Sequence, residues 1–435
     1  MSSGRSPSAT STITRYRWTI VALLFAATTI NYVDRQVLGI LAPTLKRELG
    51  WSESDYGSIV SWFTISYGIG YAVMGRVMDR VGTRRGFAGA IVVWSLAAMA
   101  HAFARTVGGF SLARAALGLG EAAMFPGAVK TVAEWFPKKE RALATGLFNA
   151  GTNIGAIVAP LAVPWIVVRW GWPEAFLFTG AIGFLWLLAG LPMYRAPEQH
   201  RRVSAAELAY IRSDPPEPAG RVPWLELLRH RQTWAVVVGK AMTDPAWYFY
   251  LFWLPKFLDT QFGVQLAGLA APLVVIYLVA DVGSVAGGWM SSALIKRGWS
   301  VNRGRKAAML AAALLIVPTM LAPRVDGMWT AVALVSVAAA AHQWWSANVF
   351  TLASDMFPRA AVGSVVGIGG LGGAITGMLV QRATGRILDA TGGDYRPIFL
   401  ACGVTYLVAW LLLHLLAPRL TPARVGITSD AVAHT

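Results

Sequence analysis

A single cysteine, Cys402, stands among 435 residues, which excludes an internal disulfide and any centre built from several cysteines. Histidine is nearly as scarce, and its six residues fall at no metal-ligand spacing. Charged residues make up only 14% of the chain, and no nucleophile sits with a base and an orienting group, so an enzyme is not expected. Acidic residues are the scarcer kind, 22 against 38 Lys and Arg, for a net charge of +16. In a soluble chain that excess would suggest nucleic acid. Here the basic residues gather in short connections between apolar runs, where they set orientation across a bilayer, and no nucleic-acid site is read.

Apolar sequence is what the chain has in quantity, at 55% hydrophobic residues. Runs of membrane-spanning length cover roughly 18–41, 56–78, 87–104, 107–133, 142–168, 174–194, 233–258, 266–295, 306–322, 328–353, 361–387 and 396–417. The fold class is therefore an all-α polytopic membrane protein with twelve transmembrane helices. Basic clusters recur in alternate connections, at Arg76 to Arg85, Lys138 to Arg141, Arg195 to Arg231 and Lys296 to Lys306, which places both termini in the cytoplasm of a cell inner (plasma) membrane protein. The run after Arg17 is too long for a signal-peptide core, so the N-terminal tail is expected to stay attached.

The longest polar stretch divides the runs six and six. The expected organisation is a cytoplasmic tail over 1–17, a six-helix half over 18–194, a cytoplasmic linker over 195–232, a second half over 233–417 and a cytoplasmic tail over 418–435. In the linker, Ser204-Ala205-Ala206-Glu207 predicts a capped, short amphipathic helix before Pro215-Pro216. An internal repeat supports two related halves. Glu134, Phe136, Pro137, Gly146 and Gly151 are echoed by Asp355, Phe357, Pro358, Gly367 and Gly372, each 221 residues later. Two pseudo-symmetric six-helix halves suit a rocking transporter whose substrate site lies between them near the membrane midplane.

Charges inside the runs point to that site. Each ionised side chain deep in a membrane costs roughly 2.5 to 3.5 kcal/mol on insertion scales, so such groups face water or partners. Asp34 and Arg35 are adjacent in the first run and project about 100° apart on a helix, which suits two different neighbours. Arg114 and Glu121 lie two turns apart in the fourth run. Arg114 is expected to hold Glu121 or Asp34 charged, so that proton binding changes what the arginine contacts; a purely structural buried pair is the alternative.

Lys240 and Asp244 are one turn apart and could simply neutralise each other, but an ammonium beside Trp247 also suits an anionic, hydroxylated ligand. Pro245 and Pro255 should loosen this helix into a candidate gate. Asp281 is expected to pair with Lys240 or a nearby arginine rather than to titrate. His342, Gln343, Trp344, Ser346 and Asn348 form a polar patch expected to line the cavity, with His342 a hydrogen-bonded packing residue. Asn149, Thr152 and Asn153 can donate to and accept from hydroxyls. Between the second and third runs, Asp79 can latch a helix N-terminus or a basic partner while Arg80, Arg84 and their neighbours hold the loop at lipid headgroups, a gating role.

The stretch Gly75 to Arg85 matches the loop signature of the major facilitator superfamily. Together with Asn31-Tyr32-Val33-Asp34-Arg35, Arg114 with Gly118 to Gly127, Phe148 to Gly155, Gly239 to Pro255 and Gln343 to Pro358, it makes the chain from about Trp18 to Leu416 resemble the anion:cation symporters, and among them the hexuronate transporters. The resemblance implies uptake of a sugar acid with protons, the proton acting as co-substrate and no cofactor being needed. Asp34 and Glu121 would be the protonated carboxylates, Arg114 would tune Glu121, and Tyr32, Arg35 and Tyr67 would contact substrate. Some sugar-acid relatives carry a neutral amide at Lys240, whose extra cation here suits hexuronates such as galacturonate or glucuronate.

The same machine could carry another organic anion, an aldonate, tartrate or aromatic acid. An exporter is the weaker reading, because the fifth run reads Ala159-Pro160-Leu161-Ala162-Val163-Pro164 in place of a Gly-Pro-x-x-Gly-Gly element. A membrane enzyme or nutrient sensor would need a catalytic constellation or soluble domain that the chain lacks. The expected partners are a small organic anion and the lipid bilayer, around a monomer.

Overall fold

The computed structural model describes residues 14–213, 220–426 and 428–429. Sixteen α-helices follow in order: α1 (Tyr16–Leu49), α2 (Glu53–Val81), α3 (Thr83–Ala100), α4 (Val107–Glu121), α5 (Met124–Trp135), α6 (Lys138–Trp170), α7 (Trp172–Gly190), α8 (Ala205–Ile211), α9 (Trp224–Leu227), α10 (Arg231–Ala241), α11 (Asp244–Phe262), α12 (Ala270–Lys296), α13 (Val301–Ile316), α14 (Met328–Met356), α15 (Arg359–Thr391) and α16 (Arg396–Leu416). Because α4 runs into α5 and α10 into α11, these helices make twelve columns, joined between the sixth and seventh by a linker that carries α8 and α9.

Among the described residues, seven columns are long and apolar enough on their own to cross a membrane. The columns of α1, α2, α4–α5, α10–α11 and α14 fall short of that measure. Asp34, Arg35, Arg114, Glu121, Lys240 and Asp244 all sit on those five, whereas Asp281 is on α12. Polarity inside a span is tolerated where it faces protein or a wet cavity rather than lipid. The outer surface is apolar, with Leu112, Val168, Leu188, Val285 and Trp289 exposed as lipid-facing side chains should be.

The repeat is visible in the backbone. Helix α5 ends at Trp135 and α14 at Met356, each followed by an extended phenylalanine, Phe136 or Phe357. Pro137 and Pro358 then open α6 and α15 with the same φ of −64° and ψ of 153°, and both helices run for 33 residues. Proline suits that position because its fixed φ and missing N–H cost nothing at a helix start. The same sequence element thus produces the same corner in each half.

Both broken columns have a proline four residues after a freed carbonyl. Pro126 follows Ala122, and Pro245 follows Ala241; neither proline can donate back to that carbonyl. At the second break the orphaned acceptors find side chains from other helices. Thr376 Oγ1 donates to Ala241 O at 2.6 Å, Thr405 Oγ1 to Met242 O at 3.1 Å, and Tyr406 Oη to Thr243 O at 3.2 Å. Trp345 Nε1 donates to Gly239 O at 3.1 Å. Of the two prolines expected to loosen this column, Pro245 marks a supported break that aims Lys240 and Trp247 at one cavity, whereas α11 runs unbroken through Pro255.

The linker contains the expected capped helix. Ser204 accepts from Glu207 N at 3.1 Å, and α8 follows. Buried Glu207 accepts from Thr14 Oγ1 at 2.6 Å and from Arg17 Nη1 at 3.0 Å, so the linker clamps the entry to α1. A two-residue antiparallel pair, Gly220–Arg221 with Thr428–Ser429, joins the linker to the C-terminal segment. Pro215 and Pro216, most of the N-terminal tail and the last residues of the C-terminal tail lie outside the described residues.

At the end of the bundle holding the α1–α2 turn, the two halves are sealed together. Gly50 turns the chain with φ 68°, a conformation open to glycine, and Ser52 and Asp55 form a capping box on α2. Glu53 then pairs with both Lys46 and Lys256 of the opposite half. Asp389 accepts from Glu53 N and Ser54 N at 2.8 Å each, Arg47 pairs with Asp259 at 3.4 Å, and Arg382 Nε donates to Ser61 Oγ at 3.1 Å. Close helix approach needs small residues here: a Cβ on Gly57 would lie 2.6 Å from Gln381 O.

Candidate substrate site

A cavity of about 340 Å³ lies between the halves, with walls from both. The first half contributes Tyr32, Arg35, Tyr67, Asn149, Thr152 and Asn153, and the second contributes Lys240, Trp247 and Gln343. These are nine of the ten side chains expected to bind substrate. Asn348 is the exception: its Nδ2 donates to Gly287 O at 3.2 Å and Trp344 O at 3.0 Å, and it sits behind the wall.

Arg35 links the wall to the interior. Its guanidinium pairs with Glu121 at 2.8 Å and donates to Asn31 Oδ1 at 3.2 Å. It also lies 4.5 Å from the Tyr32 ring and 4.6 Å from the Tyr67 ring, so aromatic faces support a cation that is nearly dry. Glu121 and Arg114 are 0% exposed and Asp34 is 2% exposed, so all three lie beyond the wall. Asp34 and Arg35 do serve different neighbours. Among the described residues, neither Asp34 oxygen makes a hydrogen bond of normal geometry, and neither does Glu121 Oε1.

The geometry supplies a contact that the sequence did not place. Arg114 donates through Nη1 and Nη2 to Arg35 O, 3.2 Å each, and it is Arg35 that holds Glu121. The reason is reach: two helical turns separate Arg114 from Glu121 on one helix, whereas Arg35 approaches from α1. Arg114 therefore braces the backbone that carries the pairing cation.

Lys240 pairs with Asp244 at 2.9 Å, and its ammonium lies 4.7 Å from the Phe350 ring. Asp281 is also in the wall, but the expected pairing with Lys240 does not occur, because Asp244 lies one turn away on the same column and takes that cation. Trp247 stacks on His342 with centroids 5.0 Å apart and planes 9° from parallel, and His342 Nδ1 meets Tyr406 Oη at 2.6 Å. His342 is thus held by packing and hydrogen bonding, as expected, while also facing the cavity. Thr152 Oγ1 lies 2.8 Å from the backbone Asn149 O and 3.0 Å from Asn153 Oδ1, so its hydroxyl can donate to either and can orient the Asn153 amide.

Sequence reasoning passed over Tyr71, Tyr277 and Ser284, all in the wall. Their signal was positional: Tyr71 is one turn from Tyr67, and Tyr277, Asp281 and Ser284 share one stripe of α12. Of the gating residues, the Asp79 side chain lies outside the described residues. Arg80 is exposed, and Arg84 Nε lies 3.4 Å from Leu191 O, while neighbouring Thr83 donates to Glu134 Oε2 at 3.2 Å.

The family model described as Major Facilitator Superfamily matches residues 24–379. The chain belongs to the major facilitator superfamily. As a member of that superfamily it is a multi-pass membrane transporter rather than an enzyme, and its twelve columns are the superfamily's two six-helix halves. It is 33% identical over 408 residues to the hexuronate transporter of Escherichia coli strain K12, covering 91% of this chain and 93% of that one. It is 35% identical over 334 residues to the galacturonate transporter of Dickeya chrysanthemi, covering 75% and 95%. Among solved structures, a D-xylose-proton symporter superposes with a TM-score of 0.73 at 16% identity, over 93% of this chain and 99% of that one, a likeness of fold.

Proposed function

We propose that this major facilitator superfamily member imports a sugar acid together with protons, the substrate being a hexuronate such as galacturonate or glucuronate. The observation that carries the reading is a cavity with two cations on its wall, Arg35 and Lys240, each held by an internal carboxylate at 2.8 or 2.9 Å. A substrate carboxylate competes for the place that Glu121 or Asp244 holds. Trp247 offers a flat apolar surface to a sugar ring, and Asn149, Thr152, Asn153 and Gln343 meet hydroxyls.

Coupling follows from the Arg35–Glu121 pair. Arg35 cannot serve Glu121 and a substrate carboxylate equally, so a proton on Glu121 frees the guanidinium for substrate and its loss reclaims it. Asp34, buried beside the Arg35–Glu121 pair with neither oxygen hydrogen-bonded among the described residues, is the second proton carrier. Arg114 keeps Arg35 in place. An anion moving inward against about 100 mV loses roughly 2.3 kcal/mol, and one accompanying proton cancels that charge.

With both termini in the cytoplasm, the sealed end holding Glu53 and Lys256 faces outward, and the loop of Asp79, Arg80 and Arg84 forms the latch of the opposite side. On this reading the protein acts as a monomer in the inner membrane. The test is uptake of labelled galacturonate by purified protein in liposomes after external acidification, with gluconate as competitor. Accumulation abolished by a protonophore is expected. Uptake indifferent to the proton gradient, or none of any sugar acid, would overturn the reading.

A further inference from the structure

We infer that Asp281 sets the charge of the substrate, admitting a sugar acid with one carboxylate and rejecting one with a carboxylate at each end. The inference rests on the sugar-acid reading above and narrows it. The cavity wall carries both matched and unmatched charge. The two wall cations, Arg35 and Lys240, are each matched by a carboxylate, Glu121 and Asp244. Asp281 lies in the same wall, half-buried, and among the described residues it has no ion-pair partner.

Asp281 sits on α12 with Ser284 one turn further along the wall, so this stretch of α12 presents acceptors and a hydroxyl rather than a cation. In the inferred pose, a ligand whose carboxylate takes Arg35 or Lys240 turns its far end to this stretch of α12. If the far end is a hydroxyl, Asp281 accepts its hydrogen bond. If it is a second carboxylate, it meets the like charge of Asp281 in a half-buried setting, and binding weakens. The specificity comes from what the site repels as much as from what it holds.

The experiment compares galacturonate with galactarate, acids of one and two carboxylates, as competitors of labelled galacturonate counterflow in liposomes at pH 7. Wild type, Asp281→Asn and Asp281→Glu are compared, the last keeping the charge. The readout is the ratio of the two half-inhibition concentrations, which a general loss of folding or activity does not move. For wild type and Asp281→Glu, galactarate is expected to be at least about tenfold weaker, a difference of about 1.4 kcal/mol. For Asp281→Asn the gap is expected to close by about tenfold. A ratio for Asp281→Asn that moves by less would overturn the inference while leaving the sugar-acid reading intact. A wild type that exchanges no galacturonate would overturn both.

Discussion

Glu53→Gln is expected to unlock the sealed end of the transporter. Glu53 stands between Lys46 of its own half and Lys256 of the other, and the Lys256 and Glu53 side chains are only 3% and 10% exposed. Removing the carboxylate strands a buried ammonium, which destabilises a structure by about 3 to 5 kcal/mol, whereas the half-exposed Lys46 contact adds at most about 1 kcal/mol. In the opened state Lys256 regains water, so most of that penalty acts on the sealed state alone. A shift of about 3 kcal/mol is roughly a hundredfold in the ratio of open to sealed.

The assay is labelling of Ser61→Cys by a membrane-impermeant thiol reagent on intact cells. Ser61 is buried between the halves where Arg382 donates to it, and the native Cys402 is buried, which keeps the background low. Labelling in the Glu53→Gln background should rise by at least about tenfold over the Ser61→Cys parent. Adding Lys256→Met should reverse most of the gain, because it removes the stranded charge that drives opening. The reasoning is refuted if Glu53→Gln labels like the parent, or if Lys256→Met leaves the gain in place.

Glu121→Gln should abolish proton-driven accumulation while leaving counterflow, since it removes the exchangeable carboxyl group from Arg35 but keeps its shape; accumulation still abolished by a protonophore would contradict the coupling scheme. Lys240→Met should weaken galacturonate binding by about tenfold or more, the worth of a charge-assisted contact, with Lys240→Arg retaining most of it; competition in counterflow measures both. Thr376→Val removes the donor to Ala241 O and should lower stability by about 1 to 3 kcal/mol, seen as earlier thermal unfolding in detergent than wild type. Gly57→Leu pushes a side chain into Gln381 O and should mimic the unlocked state in the Ser61→Cys assay without touching any charge.

Which charged residues turn inward was legible wherever physical chemistry penalises the alternative. A charge in an apolar run is costly enough that Asp34, Arg35, Arg114, Glu121, Lys240 and Asp244 announced themselves without a fold, and a repeat at 221 residues foretold the matching corners at Pro137 and Pro358. Aromatic wall residues such as Tyr71 and Tyr277 were less legible, because a tyrosine in a span serves packing, an interface or a pocket with the same local pattern.

By itself the sequence determined the class of the protein: span number, the break at Pro245, the capped linker helix and the set of intramembrane charges all follow from local periodicity, capping and solvation. Tertiary structure alone decided who meets whom. Arg35 rather than Arg114 holds Glu121, Asp244 rather than Asp281 holds Lys240, Asn348 turns to backbone carbonyls, and Glu53 reaches across to Lys256. Pairing depends on which helices are brought side by side and on how far each side chain can reach, and residues distant in the chain carry no local record of either.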